Sequence, residues 1–270
     1  MSKQSLGTAL VTGASSGIGA VYADRLAKRG YDLVLVARDE ARMNEVAQRL
    51  RAETGVSVEV LKADLTVPAD RKRVEQRLRA DTGISLLINN AGMAILGGIA
   101  TADVEAVDTQ IQLNVTALTR LAAVASERFA AAGKGAIVNI GSVLGFAPEL
   151  TPGSVYPATK AFVIALSQSM HLELAPKGIY VQAVLPAATR TEIWAKAGRD
   201  VNQIPGVMDV EELVDAALVG FDRREPITIP PLPDAGQWDA YDAARLAMLP
   251  HLRQEHAAAR YWVKETVAAE

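Results

Sequence analysis

The sequence predicts an α/β fold: a doubly wound, central parallel sheet of about seven strands with helices on both faces. Three observations carry this. Short apolar runs alternate with longer amphipathic stretches from Thr8 to Pro186. The runs are apolar almost throughout, as strands are when helices cover both sides of a sheet. The chain has 270 residues, 50% of them hydrophobic, enough for one α/β domain with a sizeable core.

The elements follow in order. "TALVTG" (8–13) is a buried-strand pattern ending in glycine, and "GIGAVYADRLAKRG" (17–30) is a helix closed by Gly30. "DLVLVAR" (32–38) is the second strand. "DEARMNEVAQRLRAET" (39–54) is a charged amphipathic helix, with Asp39 suited to its N-cap. "VSVEVLKADL" (56–65) is a strand, and "PADRKRVEQRLRADTG" (68–83) a helix with proline near its start. "ISLLINNAG" (84–92) is the fourth strand, and 101–133 reads as one long, bent helix. "GAIVNIGS" (135–142), "SVYPATKAFVIALSQSMHLELAPKG" (154–178) and "IYVQAVLP" (179–186) supply a strand, a helix and a strand. After Pro186 the regularity fades. "PITIPP" (226–231) suits a short last strand, and the tail from Trp238 reads as helical. The chain is read as a single domain over 1–270. Residues 6–192 form its regular strand–helix core. Residues 193–270 form a substrate-facing segment and a C-terminal helical appendage.

Composition narrows the function. The net charge is -3, without the basic surplus of a nucleic-acid binder. There is no cysteine, which excludes disulfides and thiolate metal sites. His171, His251 and His256 show no ligand spacing, so no metal is expected. The start lacks the apolar run of a signal peptide, and no run is long enough to span a bilayer. A soluble, cytoplasmic protein without membrane or nucleic-acid partners is the expectation.

"TGASSGIG" (12–19) stands where the first strand meets the first helix. Glycines there allow a tight turn and close approach of backbone to a ligand, and the helix N-terminus offers N–H groups to a pyrophosphate. The second strand ends in Ala37, Arg38 and Asp39. A carboxylate at the strand tip would repel a 2′-phosphate, whereas Arg38 would pair with one, so NADPH is favoured over NADH.

"SVYPATKAF" (154–162) sets Tyr156 four residues before Lys160, on one helix face. By itself that pair is either a snorkelling lysine beside an aromatic or a device that lowers a phenol pKa. The surrounding motifs decide. "TGASSGIG", "NNAG" (89–92), Asn114 in the long helix, Ser142 after the fifth strand, and Tyr156 with Lys160 occur in one order on suitable elements. Over residues 6–192 the chain resembles the short-chain dehydrogenase/reductase family, whose fold is of the Rossmann type.

The resemblance implies the roles. Tyr156 would exchange a proton with the carbonyl or alcohol oxygen; Lys160 and the positive nicotinamide of the oxidised cofactor would favour its phenolate, and Lys160 would hold the nicotinamide ribose. Ser142 would polarise the carbonyl, and Asn114 would hold a water leading to Lys160. The cofactor site would comprise Gly13, Ser15, Ser16, Gly17, Ile18, Gly19, Arg38, Asp64, Leu65, Asn90, Ala91, Gly92, Tyr156, Lys160, Pro186 and Thr191. Asp64 would contact adenine, and Thr191 the carboxamide. One departure stands out: "PAATRT" (186–191) has Ala187 where the family usually has glycine. Either the loop over the nicotinamide is altered or that position never needs positive φ.

Ser142, Phe146, Tyr156, Ile193 and Trp194 would flank the substrate. They are mostly apolar, and Arg190 and Lys196 are unplaced as clamps for a carboxylate. An uncharged ketone, aldehyde or secondary alcohol is expected. Two alternatives stay open: a non-catalytic dinucleotide-binding redox sensor, and a sugar-nucleotide epimerase or dehydratase. The resemblance also implies a homodimer or homotetramer through the long helices.

Overall fold

The structure, a computed structural model, describes residues 6–150 and 153–262, except the side chain of Lys196. It divides into two compact units, 1–231 and 232–270. The first unit holds a seven-stranded parallel sheet flanked by helices. The strands are β1 (Thr8–Thr12), β2 (Asp32–Ala37), β3 (Val58–Lys62), β4 (Ile84–Asn89), β5 (Gly135–Ile140), β6 (Ile179–Val184) and β7 (Ile227–Thr228), in the order β3-β2-β1-β4-β5-β6-β7.

Alternate residues of the strands feed two cores. Val11, Leu33 and Leu35 face α1 (Gly17–Arg29) and α2 (Glu40–Thr54). Leu10, Val34 and Val36 share the other core with α3 (Pro68–Ala80) and the long helices. Side chains that alternate along a strand line opposite faces, which is why both sides need helices. β1 pairs with β2 on one side and β4 on the other. The strand order therefore reverses at β1/β4, where a doubly wound sheet opens a crevice beyond its strand ends.

The segment read as one long helix is three pieces in line. These are α4 (Val104–Ile111), a π-helical turn (Gln112–Ala117) and α5 (Leu118–Ala132). α6 (Val155–Leu174) follows, then a four-residue helix α7 (Ile193–Lys196). The structure is more regular after Pro186 than the sequence pattern suggested. α8 (Val210–Asp222) buries Leu213, Val214, Ala217 and Leu218 in the core beside α1. Its apolar spacing was present in "VEELVDAALVGFD" but lay beyond the clear strand–helix alternation.

In the second unit, α9 (Ala235–Ala247) starts slightly earlier than Trp238, capped by Asp234. Short 3-10 turns follow at Leu249–His251 and Ala259–Tyr261. Trp238 and Tyr241 stack with ring centroids 5.2 Å apart. Among the described residues no helix is long and apolar enough to cross a membrane.

Candidate active site

Ser142, at the end of β5, and Tyr156 and Lys160, in the first turns of α6, meet above the sheet's C-terminal edge. Two contacts fix them. Lys160 Nζ donates to the Ile140 carbonyl at 2.8 Å. Gly145 lets the turn after Ser142 press on α6: a Cβ there would lie 2.7 Å from the Lys160 carbonyl carbon and 2.8 Å from the Ala161 nitrogen. Lys160 Nζ stands 5.6 Å from the centre of the Tyr156 ring, and the Ser142 hydroxyl lies near enough to the Tyr156 phenol to favour its ionised form.

In the protein alone, burial sets the direction of the shift at both Tyr156 and Lys160. Burial pushes the phenol up to about 12, and the nearby Ser142 hydroxyl only partly opposes it. Burial also pushes the Lys160 ammonium down to about 8. Both shifts share a cause: a low-dielectric site disfavours whichever form is charged.

Asn114 sits in the π-helical turn, a local widening often found at functional sites. Its Oδ1 accepts from Met93 N at 2.9 Å. Its Nδ2 donates to Met93 O at 2.9 Å and to Thr159 Oγ1 at 3.2 Å. Thr159 in turn donates to the Tyr156 carbonyl at 2.8 Å. The Asn114 side chain thus ties the loop after β4 to the helix carrying the tyrosine. Gly92 lies alongside: a Cβ there would be 3.3 Å from Asn114 Oδ1 and 3.8 Å from Lys160 Nζ.

The glycine turn opens the crevice at β1/β4. Ser16 precedes α1 in an extended conformation and makes no side-chain cap, and no acidic residue stands in the first turn. The helix start can therefore receive an anion, with Gly13, Ser15, Gly17 and Ile18 half-buried around it. Gly19 is packed so close to the Gly13 carbonyl and Asn90 Nδ2 that a side chain would collide. Asn90 Nδ2 donates to Thr12 O at 2.8 Å, so this side chain supports the turn, with Ala91 beside it.

At the tip of β2, Arg38 is exposed, and its guanidinium stands 3.9 Å from Asp64 Oδ2. Asp64 Oδ1 accepts from Thr66 N at 2.9 Å and Oγ1 at 2.7 Å, holding the turn around buried Leu65. Asp39 caps α2 by accepting from Arg42 N at 3.1 Å.

Beyond β6, the Pro186 carbonyl accepts from Val143 N at 2.9 Å and from Ser142 Oγ at 3.3 Å. Arg224 is the one non-glycine residue with positive φ among the described residues, so Ala187 is unstrained. The glycine it replaces was not required for left-handed backbone here. Thr191 packs over Gly17, whose added Cβ would lie 3.2 Å from its methyl group. Phe146, Ile193 and Trp194 are half-buried. Trp194 Nε1 donates to the Thr189 carbonyl at 2.8 Å, which anchors the indole within the loop. Arg190 is exposed and donates to Asn202 Oδ1 at 3.1 Å.

Four supporting residues escaped the sequence reading. The Thr12 hydroxyl donates to Ile88 O and accepts from Asn90 N and Ala91 N. Thr159 and Gln110 hold the loops around Asn114, and Glu192 reaches Arg42. Thr12 stands within a quoted motif. Thr159 stands within one too, but its bond to Asn114 spans 45 residues, and Gln110 and Glu192 meet partners 15 and 150 residues away, so no local signal marks these contacts.

A parallel doubly wound sheet with a glycine turn at its switch point and a Ser–Tyr–Lys cluster beside it defines a dinucleotide-dependent enzyme class. Residues 7–202 match the short chain dehydrogenase family, and the chain belongs to it. A short-chain dehydrogenase from Sphingobium yanoikuyae, solved in complex with NADPH, is 63% identical with a TM-score of 0.93. The match covers 95% of this chain and 100% of that one. A bulky-bulky ketone specific alcohol dehydrogenase from Comamonas testosteroni is 57% identical with a TM-score of 0.89, covering 96% and 99%. An uncharacterized oxidoreductase of Staphylococcus epidermidis is 35% identical over 85% of this chain and 96% of its own length.

Proposed function

We propose that this protein is an NADPH-dependent reductase of bulky, uncharged ketones and oxidises the corresponding secondary alcohols in reverse. The observation that carries the reading is the meeting of Ser142, Tyr156 and Lys160 beside the β1/β4 crevice. Likeness to an NADPH-bound dehydrogenase and a bulky-ketone alcohol dehydrogenase supports the cofactor and the substrate class. Arg38, exposed at the tip of β2, is suited to pair with a 2′-phosphate.

NADPH supplies the hydride and, once oxidised, a positive ring. The protein supplies position and a proton. The Tyr156 hydroxyl donates its proton to the ketone oxygen, and Ser142 Oγ hydrogen-bonds the same oxygen. Burial keeps Tyr156 protonated before reduction, the form a general acid needs. For alcohol oxidation Tyr156 takes the proton as phenolate, which Lys160 would favour together with the positive charge that an oxidised nicotinamide would supply. The Asn114 side chain holds the loop and the helix together through Met93 and Thr159, and its Oδ1 keeps a second acceptor site for a water leading to Lys160. Phe146, Ile193 and Trp194 offer apolar surface to the groups flanking the carbonyl.

The assay is loss of nicotinamide absorbance with a panel of small and bulky ketones, using NADPH and NADH separately. Turnover with bulky ketones and NADPH, abolished in Tyr156→Phe, is expected. Dinucleotide binding without turnover of any carbonyl would overturn the reading. Residues of α5 and α6, including Ala122, Ser126, Leu166 and Met170, line a surface groove. We assign that face to a homodimer or homotetramer contact. A light-scattering mass equal to the 28.7 kDa monomer would refute it.

A further inference from the structure

The segment leaving Thr191 crosses the groove in which the proposed function places the dinucleotide. At one end, Thr191 packs on Gly17 of the glycine turn. One residue on, Glu192 Oε1 accepts from Arg42 Nη1 at 2.7 Å. Arg42 stands in the first turn of α2, beyond the tip of β2, with its Nε 3.5 Å from Asp39 Oδ2. The two contacts span the crevice from the pyrophosphate end to the ribose end. Just upstream, Thr189 forms an isolated bridge with Met208, and Trp194 donates back to the Thr189 carbonyl. Among the described residues these contacts tie the segment on either side of Thr191, and the Arg42–Glu192 ion pair crosses to α2.

We propose that Arg42 and Glu192 are positioning residues whose ion pair straps Thr191 across the cofactor groove and slows release of the bound dinucleotide. The pair joins residues 150 apart in sequence and has no part in the core. Both side chains are about half exposed, at 49% and 44%. A strap made this way can open and reclose without disturbing the fold, as cofactor exchange requires. The role differs from that of Arg38. Arg38 would recognise the 2′-phosphate and tell NADPH from NADH, whereas the strap acts on the segment over the groove and treats the two alike.

The inference rests on the dinucleotide-binding reading, and the test separates the two. Release of NADPH and of NADH is measured by stopped-flow displacement from the full-length protein. The variants are Glu192→Gln, Arg42→Ala, their combination, Arg42→Lys and Arg38→Ala. The expected result is release about three- to fivefold faster in Glu192→Gln and in Arg42→Ala, the range open to a half-exposed ion pair. The factor is the same for NADPH and NADH. The double variant is no faster than either single one, and Arg42→Lys, which keeps the charge, restores most of the effect. Arg38→Ala accelerates release of NADPH alone. Unchanged release in Glu192→Gln would overturn the strap, as would an Arg42→Ala effect confined to NADPH. Failure of the wild type to bind either dinucleotide would overturn the cofactor reading and the strap with it.

Discussion

Lys160 Nζ donates to the main-chain oxygen of Ile140 at 2.8 Å, across the joint between β5 and α6. The bond fixes the height of α6 against the strand that leads to Ser142. It also holds an ammonium in a buried site, where its pKa falls to about 8. The same lysine is thus placed for function at a cost in stability.

Lys160→Met should therefore abolish turnover yet stabilise the fold at pH 7. The sign follows from linkage. Below pH 8 lysine is charged in both folded and unfolded chains, and the folded state carries the full desolvation penalty. Between pH 8 and the unfolded value near 10.5 the folded lysine loses its proton first, and the penalty fades. The variant should gain about 1–3 kcal/mol at pH 7, less the Ile140 hydrogen bond, and the gain should shrink as pH rises through that window. Denaturant unfolding at pH 7 and pH 10 measures it. A gain that grows with pH would contradict the burial argument.

Tyr156→Phe should lower turnover by about 10²–10⁴-fold while leaving NADPH affinity within a few-fold of wild type. Ultraviolet difference titration of wild type against this variant isolates the Tyr156 phenol. It should ionise well above pH 10 in the protein alone and shift downwards when oxidised NADP is added. A phenol already titrating near neutral pH without dinucleotide would show that Lys160 outweighs burial after all.

Gly145→Ala should destabilise the fold by about 1–3 kcal/mol, because its Cβ would press on α6 backbone at Lys160 and Ala161, atoms that cannot rotate aside. The strain lies between Ser142 and Lys160, so turnover should fall more than NADPH affinity. Thermal unfolding together with steady-state kinetics checks both. Wild-type turnover in a destabilised variant would show that the joint can shift without moving the catalytic groups.

Gln110→Leu tests the loop after β4. The buried Gln110 Oε1 accepts from Ile95 N, while its Nε2 has no hydrogen-bond partner among the described residues. Leucine removes one good bond and one unsatisfied donor, effects of similar size, about 1 kcal/mol each and opposite in sign. Stability should change little. The loop should loosen, and KM for the ketone should rise several-fold with NADPH affinity unchanged. An unaltered KM would remove Gln110 from the loop's support.

Much of the fold was legible because its signals are local. The strand–helix alternation from Thr8 to Pro186, Gly30 closing α1 at φ 98°, Asp39 capping α2 and the proline opening α3 all depend on neighbours in sequence. So do the glycine turn and the Tyr156–Lys160 spacing, because each lies within one turn of chain. α8 was missed although its pattern is amphipathic, because no clear strand preceded it to set the alternation.

The sequence by itself determined the layered α/β architecture, the order of the motifs and the residue types available for catalysis, since each is written in short-range periodicity and spacing. Only the tertiary structure decided how those residues are held and charged. The raised Tyr156 pKa and lowered Lys160 pKa come from burial by distant segments. The Asn114–Thr159 link, the Gly145 contact and the Arg42–Glu192 ion pair join residues 15 to 150 positions apart. The physical reason is common to all of them. Dielectric environment and through-space contact belong to the packed chain, and no local pattern encodes which remote group will arrive.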